Sequence, residues 1–430
     1  MTGRELIVYL AEHPIARLLL QEDTLVWQYY PGWQQQGFAV SPHLPLAGPI
    51  AAVNVHRFLR NLLPEGNPLE ELLAGFHLSR HNTFGLIRAL GADTPGALVL
   101  LPPEQSWPQA AMERPLSEQE LSQRLDNRKH YGLVIWDGKP RLSVAGVQDK
   151  INVVVNPQGE LSFGEGALCS THLLKFEQQK YTHLVLNEYV TMRLANACGL
   201  PVAEVALRRF GHHPALLVTR FDRQWLAPGK VLRRQVIDGC QALNLPPEHK
   251  YERNFGNARD VAHIRDGASL PRLFAFAGAC SNPAQSRQLL LDWVLFNLLL
   301  FNQDAHGKNV SFYVGRQGIT LAPFYDLVNI AMYPEFEQEM AMALGDEFDA
   351  STIYAYQLAD FAASCHLPRA LVATRLKRLA TQVLSKVRQG HQALAGTAEE
   401  RDYLRRFDAL IAARCEHLLQ EAGHIKNIEL

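Results

Sequence analysis

The residues best placed to do chemistry are the run Asp304-Ala305-His306-Gly307-Lys308-Asn309. A carboxylate and an amide in the pattern D-x-x-x-x-N have the spacing of a phosphoryl-transfer catalytic loop. The requirement is physical. One carboxylate must take a hydroxyl proton while a nearby amide oxygen holds Mg²⁺ at the nucleotide phosphates, and a single short loop must aim both at the same phosphoryl group. The metal then needs a further oxygen ligand. Asp326, in the segment FYDL, follows after two short predicted strands and supplies it. Asp304 is thus the expected base, and Asn309 and Asp326 are the expected metal ligands. His306 and Lys308 also admit a metal hydrolase, but a transition-metal site would want more histidine, and carboxylate with amide oxygen suits a hard ion such as Mg²⁺. Taken alone, the spacing would more simply be a polar loop with Asp304 capping a turn. The order Asp, Asn, Asp after a buried helix favours catalysis.

Two further segments could handle phosphate. Lys175 lies in the strand-like run THLLKF, its stem among Leu173, Leu174 and Phe176. A kinase strand lysine in such a setting pairs with the α- and β-phosphates, and Glu188 on a following helix is its natural carboxylate partner. Alone, Lys175 would more simply be a surface lysine lying along an apolar strand end. The segment from Ser143 to Lys150 sits between two predicted strands. The small residues Ala145 and Gly146 would let backbone N–H groups approach phosphate oxygens. It is neither G-x-G-x-x-G nor a Walker sequence, and the residues leave a phosphate loop and a tight turn equally open.

These groups need elements to hold them. Residues 1–55 read as β structure, with short runs at 6–10 and 25–30. Residues 51–101 read as helical pieces punctuated by Pro and Gly. Residues 103–116, rich in Pro, Glu and Gln, read as a linker, and Ser117 to Glu120 spells a capping box opening a short helix. Strands are expected at 131–136, 141–145 and 151–155, around 174, and at 215–221, with a helix over 181–197. Beyond about 236 the pattern is mostly helical. The apolar run 289–301 is too short to span a bilayer and carries Asp292 and Asn297, so it reads as a buried core helix just ahead of the catalytic loop. Strands at 310–314 and 319–322 separate Asn309 from Asp326. A second capping box, Thr397 to Glu400, opens one of two or three amphipathic helices in the tail.

Composition bounds the class. A chain of 430 residues suits two or three domains. Lysine and arginine (42) nearly cancel aspartate and glutamate (43), so no overall field points to nucleic acid. The six cysteines are scattered without C-x-x-C, which argues against structural zinc and a disulfide framework and for buried thiols. The N-terminus has no signal-peptide pattern, so a soluble cytoplasmic protein is expected.

At this point the sequence resembles a known family, the HipA toxins of bacterial type II toxin–antitoxin modules. The resemblance runs through NLLPEG (61–66), DTPGALVLLP (93–102), RLSVAGVQDK (141–150), THLLKF (171–176), NEYVTMRLANACGLPV (187–202), TRFDRQW (219–225), CQALNLPPEHKYE (240–252), NQDAHGKN (302–309) and LAPFYDL (321–327). It implies an α+β, two-lobed protein-kinase-like fold: an N-terminal subdomain over 1–102, a kinase N-lobe over 117–218 and a helical C-lobe over 219–430. It implies a serine/threonine protein kinase that uses ATP and Mg²⁺. The phosphate loop would be Ala145, Gly146, Val147, Gln148, Asp149 and Lys150, with Lys175 binding phosphate. Adenine would lie against the backbone of Thr219, Arg220 and Phe221. His306, Gly307, Lys308 and Asn309, with Tyr325 and Asp326, would complete the nucleotide and metal site. Ser143 falls on the serine that family members autophosphorylate, switching the kinase off. The implied partners are a cognate helix-turn-helix antitoxin (HipB-like), a protein substrate such as an aminoacyl-tRNA synthetase, and operator DNA reached mainly through the antitoxin; no membrane is implied. Ala305 and Gly307 exchange the glycine and alanine of the best-known member, and Thr219 stands where that member has glutamate. The rival readings are a non-catalytic pseudokinase acting as a binding or repressor component, and a kinase of a lipid or small molecule.

Overall fold

A computed structural model describes residues 3–128, 130–142, 148–178 and 180–430. The fold is α+β, and its contacts divide it into two compact units. The first comprises Met1–Gln178, Glu204–Pro247 and Phe312–Gly318; the second comprises Gln179–Ala203, Glu248–Ser311 and Ile319–Leu430.

The first unit is strand-rich. Its N-terminal sheet is antiparallel, in the order Thr24–Tyr29, His13–Gln21, Glu5–Leu10, Leu98–Leu101. Alternation shapes it: Leu6 and Val8 are fully buried with Ala16 and Leu18, while Ile7, Arg17 and Leu19 beside them are only partly so. The expected runs at 6–10 and 25–30 are strands here, and His13–Gln21 lies between them as a third.

A six-stranded sheet carries the phosphate-handling candidates, in the order Val205–Phe210, His213–Thr219, His172–Phe176, Lys150–Val155, Leu161–Gly166, Ala111–Pro115. One face packs Ile151, Val153, Leu174, Phe176 and Leu217 against Leu121, Leu125, Trp136 and Phe163. Part of the expected linker at 103–116 is therefore the edge strand Ala111–Pro115, paired with Leu161–Gly166. It is almost wholly exposed, so it shows no apolar alternation to betray it. Of the expected strands at 131–136 and 141–145, the described residues of that stretch form the short paired strands Ile135–Trp136 and Lys139–Pro140. Residues 143–145 lie outside the described residues.

Two carboxylates of the N-terminal segment hold this sheet system together. Glu71 accepts from the backbone N–H groups of Leu133, Val134 and Ile135 at 3.1, 2.8 and 3.0 Å. Asp93 accepts from the Asn152 amide and the Ser170 backbone, each at 3.2 Å. Asp93 also joins a buried charge network. Asp222 takes Arg220 through Nε and Nη2 (3.0 and 2.8 Å) and Arg223 through Nη1 (2.8 Å), while Arg223 Nη2 reaches Asp93 at 3.2 Å. Burial alone would raise the Asp222 carboxyl, but the two guanidiniums and the Gly96 N–H outweigh it and hold it well below the usual carboxylate range.

The second unit is mostly helical. The helix Pro283–Leu299 is buried nearly all round from Leu290 onward, as the apolar run predicts. Its start is set by Asn282, whose side chain accepts from Gln285, and by Pro283 in the first turn. The polar residues Asp292 and Asn297 within that buried stretch have partners: Asp292 accepts from Arg375 Nε at 2.7 Å, and Asn297 Nδ2 donates to the Trp293 carbonyl at 2.9 Å. The helices Arg369–Val387 and Ala398–Ala422 pack on each other and on it, and Ala355–Ser364 completes the tail. No helix of the described residues is long and apolar enough to cross a membrane. All six cysteines are buried free thiols.

Candidate active site

The catalytic-loop candidates lie in the second unit, at the foot of the buried helix. The chain leaves that helix through Phe301 in a left-handed turn (φ 51°), and Asn302 ties back to Asn297 by a backbone bond (2.9 Å) and a side-chain bond (2.8 Å). The loop Asp304–His306 then enters a short 3₁₀ helix, Gly307–Asn309. Its hydrogen bonds are local and close-set. Asn309 Nδ2 donates to the Asp304 carbonyl at 3.0 Å, His306 Nδ1 accepts from the Lys308 N–H at 3.3 Å, and the Gly307 N–H reaches the Lys250 carbonyl at 2.9 Å. His306, Lys308 and Asn309 are buried; Asp304 is half-buried. Asn309 is thus held by its nitrogen, and its amide oxygen is the atom a hard cation would take.

Asp326 stands on the return from the strands Ser311–Gly315 and Gly318–Leu321. Tyr325 fixes that return: its hydroxyl donates to the Lys308 carbonyl at 2.7 Å and shares a 2.7 Å bond with Ser311 Oγ. Phe324 exchanges backbone bonds with Pro201 and Ala203 (2.8 and 2.9 Å). Asp326 itself adopts φ 59°, a strained conformation for a residue with a β-carbon and one that recurs where a side chain must be aimed. The oxygen set of Asn309 and Asp326 fits Mg²⁺ better than a softer metal. Glu188, on the helix Leu184–Ala197, is almost fully buried in the same unit.

One neighbour of Asp304 escaped the sequence reading. Tyr251 donates its hydroxyl to Asp304 Oδ1 at 2.7 Å and sets its ring edge-on to His306, 5.2 Å between centroids. Its backbone is pinned as well: a β-carbon on Gly267 would sit 1.8 Å from the Tyr251 carbonyl oxygen, so only glycine fits there. The next residue, Glu252, is buried and accepts from the Ala343 N–H at 2.8 Å and from Arg265 Nε at 2.6 Å. The tyrosine in P-P-E-H-K-Y-E was a signal only in retrospect, since nothing local ties it to Asp304.

The exchange of alanine and glycine in the loop costs little. Neither Ala305 nor Gly307 takes a positive φ, so neither position needs glycine for its backbone angles.

The phosphate-handling candidates lie in the first unit. Lys175 pairs directly with Lys150 across neighbouring antiparallel strands, and both are buried on the face opposite the hydrophobic core. Two lysines in direct cross-strand register repel unless an anion is shared nearby. Gln148 Nε2 donates to the Phe176 carbonyl at 3.3 Å. Asp149 lies 3.6 Å from Arg128, and its carboxyl is raised because burial outweighs that arginine. Ser143, Ala145, Gly146 and Val147 lie outside the described residues. Thr219 ends the strand His213–Thr219, and its N–H donates to the Glu204 carbonyl at 2.8 Å. The Arg220 side chain is committed to Asp222 and Ser170, and the Phe221 carbonyl accepts from the Tyr313 hydroxyl at 2.8 Å.

Comparisons with known proteins agree on one family. The HipA N-terminal domain model matches residues 6–101, and the HipA-like C-terminal domain model matches residues 142–389. The serine/threonine-protein kinase toxin HipA of Shewanella oneidensis is 45% identical over 411 residues, 95% of this chain and 94% of its own. A Sinorhizobium fredii relative is 34% identical over 82% of this chain and 83% of its own. A solved complex of the Shewanella oneidensis toxin–antitoxin proteins HipA and HipB with operator DNA contains a chain that superposes with a TM-score of 0.91 at 44% identity, covering 99% of this chain and 100% of that one. With a family model over more than half its length and a relative this similar from end to end, the chain belongs to the HipA family and is a serine/threonine protein kinase.

Proposed function

We propose that this kinase transfers the γ-phosphoryl group of ATP to a serine hydroxyl, with Asp304 accepting the hydroxyl proton. The observation that carries the reading is the loop itself: Asn309 is bonded to the Asp304 carbonyl, Tyr325 to the Lys308 carbonyl and Tyr251 to the Asp304 carboxylate. A base and a cation ligand fixed on one short segment are what in-line phosphoryl transfer asks of a protein. Lys150 and Lys175 would take the nucleotide phosphates, together with the loop Ala145–Lys150. Mg²⁺, held when bound by Asn309 and Asp326, would neutralise charge on the transferring group. The backbone of residues 219–221 would face adenine, since the Arg220 side chain is already spent on Asp222. Autophosphorylation at Ser143 would add roughly −2 charge beside the phosphate loop and disfavour ATP.

The family supports a biological setting for this reading. The reading makes the chain the toxin of a toxin–antitoxin pair in the cytoplasm, held by a HipB-like helix-turn-helix antitoxin that also brings it to operator DNA. An aminoacyl-tRNA synthetase is the proposed substrate class. The test is intact-protein mass spectrometry after incubation with Mg-ATP, comparing wild type with Asp304→Asn. One added phosphate on Ser143 in the wild type alone is the expected result. Equal phosphorylation of Asp304→Asn would remove Asp304 from its role. Label passing only to a lipid or small molecule would replace the protein substrate, and no transfer by a chain that binds ATP would favour a pseudokinase.

A further inference from the structure

Two adjacent histidines and an aspartate meet in the first unit, apart from every residue given a part in phosphoryl transfer. The strands Val205–Phe210 and His213–Thr219 are joined by the two-residue loop Gly211-His212, with Phe210 paired to His213. Gly211 takes φ 60°, and a β-carbon there would lie 2.7 Å from Ser122 Oγ, so the turn is seated closely on the helix Glu118–Asp126. Asp126 is the last residue of that helix. His213 Nε2 lies 2.8 Å from Asp126 Oδ1, and His212 Nε2 lies 3.8 Å from the same oxygen. The two imidazole rings overlap, with 3.8 Å between centroids and 38° between planes.

We infer that Asp126, His212 and His213 form a binding site for a late first-row divalent cation, with Zn²⁺ as the representative ion. Donor type sets the class: two imidazole nitrogens and one carboxylate oxygen suit zinc and its neighbours better than Mg²⁺. Distance agrees. The three residues offer ligand atoms within 4.8 Å of one another. Tetrahedral zinc with bonds of about 2.0–2.1 Å would set its donors roughly 3.3 Å apart, between the two separations observed. A second observation asks for a cation at the same place. The C-terminal end of a helix disfavours a carboxylate and favours positive charge, yet Arg124, the basic residue of that last turn, is committed to the Gly132 and Ile135 carbonyls. A hydrogen bond to Asp126 accounts for His213 alone, since 3.8 Å is too long for a second one from His212. A shared cation takes the place of the Nε2 proton of His213 and engages His212 as well. His212 is 78% exposed, so water can complete the coordination. The ion would join the helix end to the hairpin turn, and the inference does not depend on which residue is the catalytic base.

The experiment titrates Zn²⁺ into the full chain, free of any histidine tag, by calorimetry with Mg²⁺ in excess so that oxygen-ligand sites are not counted. One Zn²⁺ should bind per chain, and His212→Ala and Asp126→Asn should each weaken it at least tenfold. Asparagine can still accept the His213 N–H, so Asp126→Asn separates a cation site from a mere hydrogen bond. Zinc bound equally well by wild type and a folded His212→Ala, or no saturable binding in the wild type, overturns the site. His212 is exposed enough to replace without disturbing the fold, so that variant carries the test if Asp126→Asn fails to fold. In a zinc-soaked crystal, an anomalous peak within bonding distance of Asp126, His212 and His213 supports the proposal, and zinc found only elsewhere overturns it.

Discussion

Replacing Asp222 by asparagine keeps the side chain's shape and removes one charge from a buried network of two arginines and two aspartates. In the wild type the Asp222 carboxylate receives Arg220 twice, Arg223 once and the Gly96 N–H, at 2.8 to 3.0 Å. The arginines are almost inaccessible, so water cannot replace what is lost. An asparagine accepts through one oxygen and turns an N–H₂ group towards a guanidinium, leaving a net positive charge buried with only Asp93 to meet it. Breaking a buried ion pair from one side costs about 3–5 kcal/mol, which is roughly two to four orders of magnitude in the folded-to-unfolded ratio and a large share of a typical domain's stability. Urea unfolding at pH 7 followed by tryptophan fluorescence suits the question, because five of the six tryptophans lie in the first unit. The control is Glu416→Gln, which breaks an exposed pair with Arg388 and should cost no more than about 0.5 kcal/mol. The sign of the pH effect is also set. Because the folded-state carboxyl is held low, its stabilisation is present above the unfolded value near 3.9 and is lost as pH falls towards the folded one. The gap between wild type and variant should therefore narrow below about pH 4. A loss under about 1 kcal/mol at pH 7 would refute the reasoning that this network is tightly bound and dry.

Other residues give sharper or simpler tests. Tyr251→Phe removes only the hydroxyl that holds Asp304; kcat should fall about tenfold, the worth of a hydrogen bond to a charged group, with the KM for ATP within about twofold, and steady-state kinetics with an unchanged kcat would deny Tyr251 a positioning role. Burial, with Arg208 adding to it, holds the His172 imidazole down to about 4. The unfolded chain takes that proton near pH 6.5, so its contribution is whole above that pH and falls by up to about 3 kcal/mol towards pH 4; urea unfolding between pH 7.5 and 5 should show a flatter profile for His172→Gln. Burial pushes the Cys198 thiol up to about 11 and those of Cys365 and Cys415 up to about 12. A chromogenic disulfide reagent at pH 8 should therefore leave these three untouched in the folded chain and titrate all six thiols in denaturant; rapid reaction of the native protein would contradict their burial.

The proposed catalytic loop is legible in the sequence because its chemistry is local. Proton acceptor and metal ligand must ride on one short segment, so the spacing survives in the sequence, and the apolar run before it announces the buried helix that holds it. The helix starts were half legible. Ser117 accepts from the Glu120 N–H as a capping box predicts, but Glu120 turns its carboxylate to Arg114 at 2.6 Å instead of back to the cap. Thr397 likewise accepts from the Glu400 N–H, while Glu400 takes the Gly396 N–H. The cap's own bond is sterically dictated; the return bond competes with any arginine or backbone donor within reach.

What the sequence hid were pairings across long separations. Asp93 and Arg223 meet from 130 positions apart, and each alone reads as an ordinary surface charge, because burial of a charge is decided by its partner and not by its neighbours in the chain. The same holds at the proposed active site. Asp304 announces itself by spacing, but Tyr251, which holds its carboxylate, belongs to a loop 53 positions earlier, with no periodicity or motif to link the two. Residues that act on substrate are constrained by each other's distance and so leave a pattern. Residues that orient them need only converge in space, and many folds of the intervening chain would satisfy that. The orienting residue is therefore the part of a catalytic site that only three dimensions supply, and Tyr251 rather than Asp304 is where a structure adds most to the site proposed here.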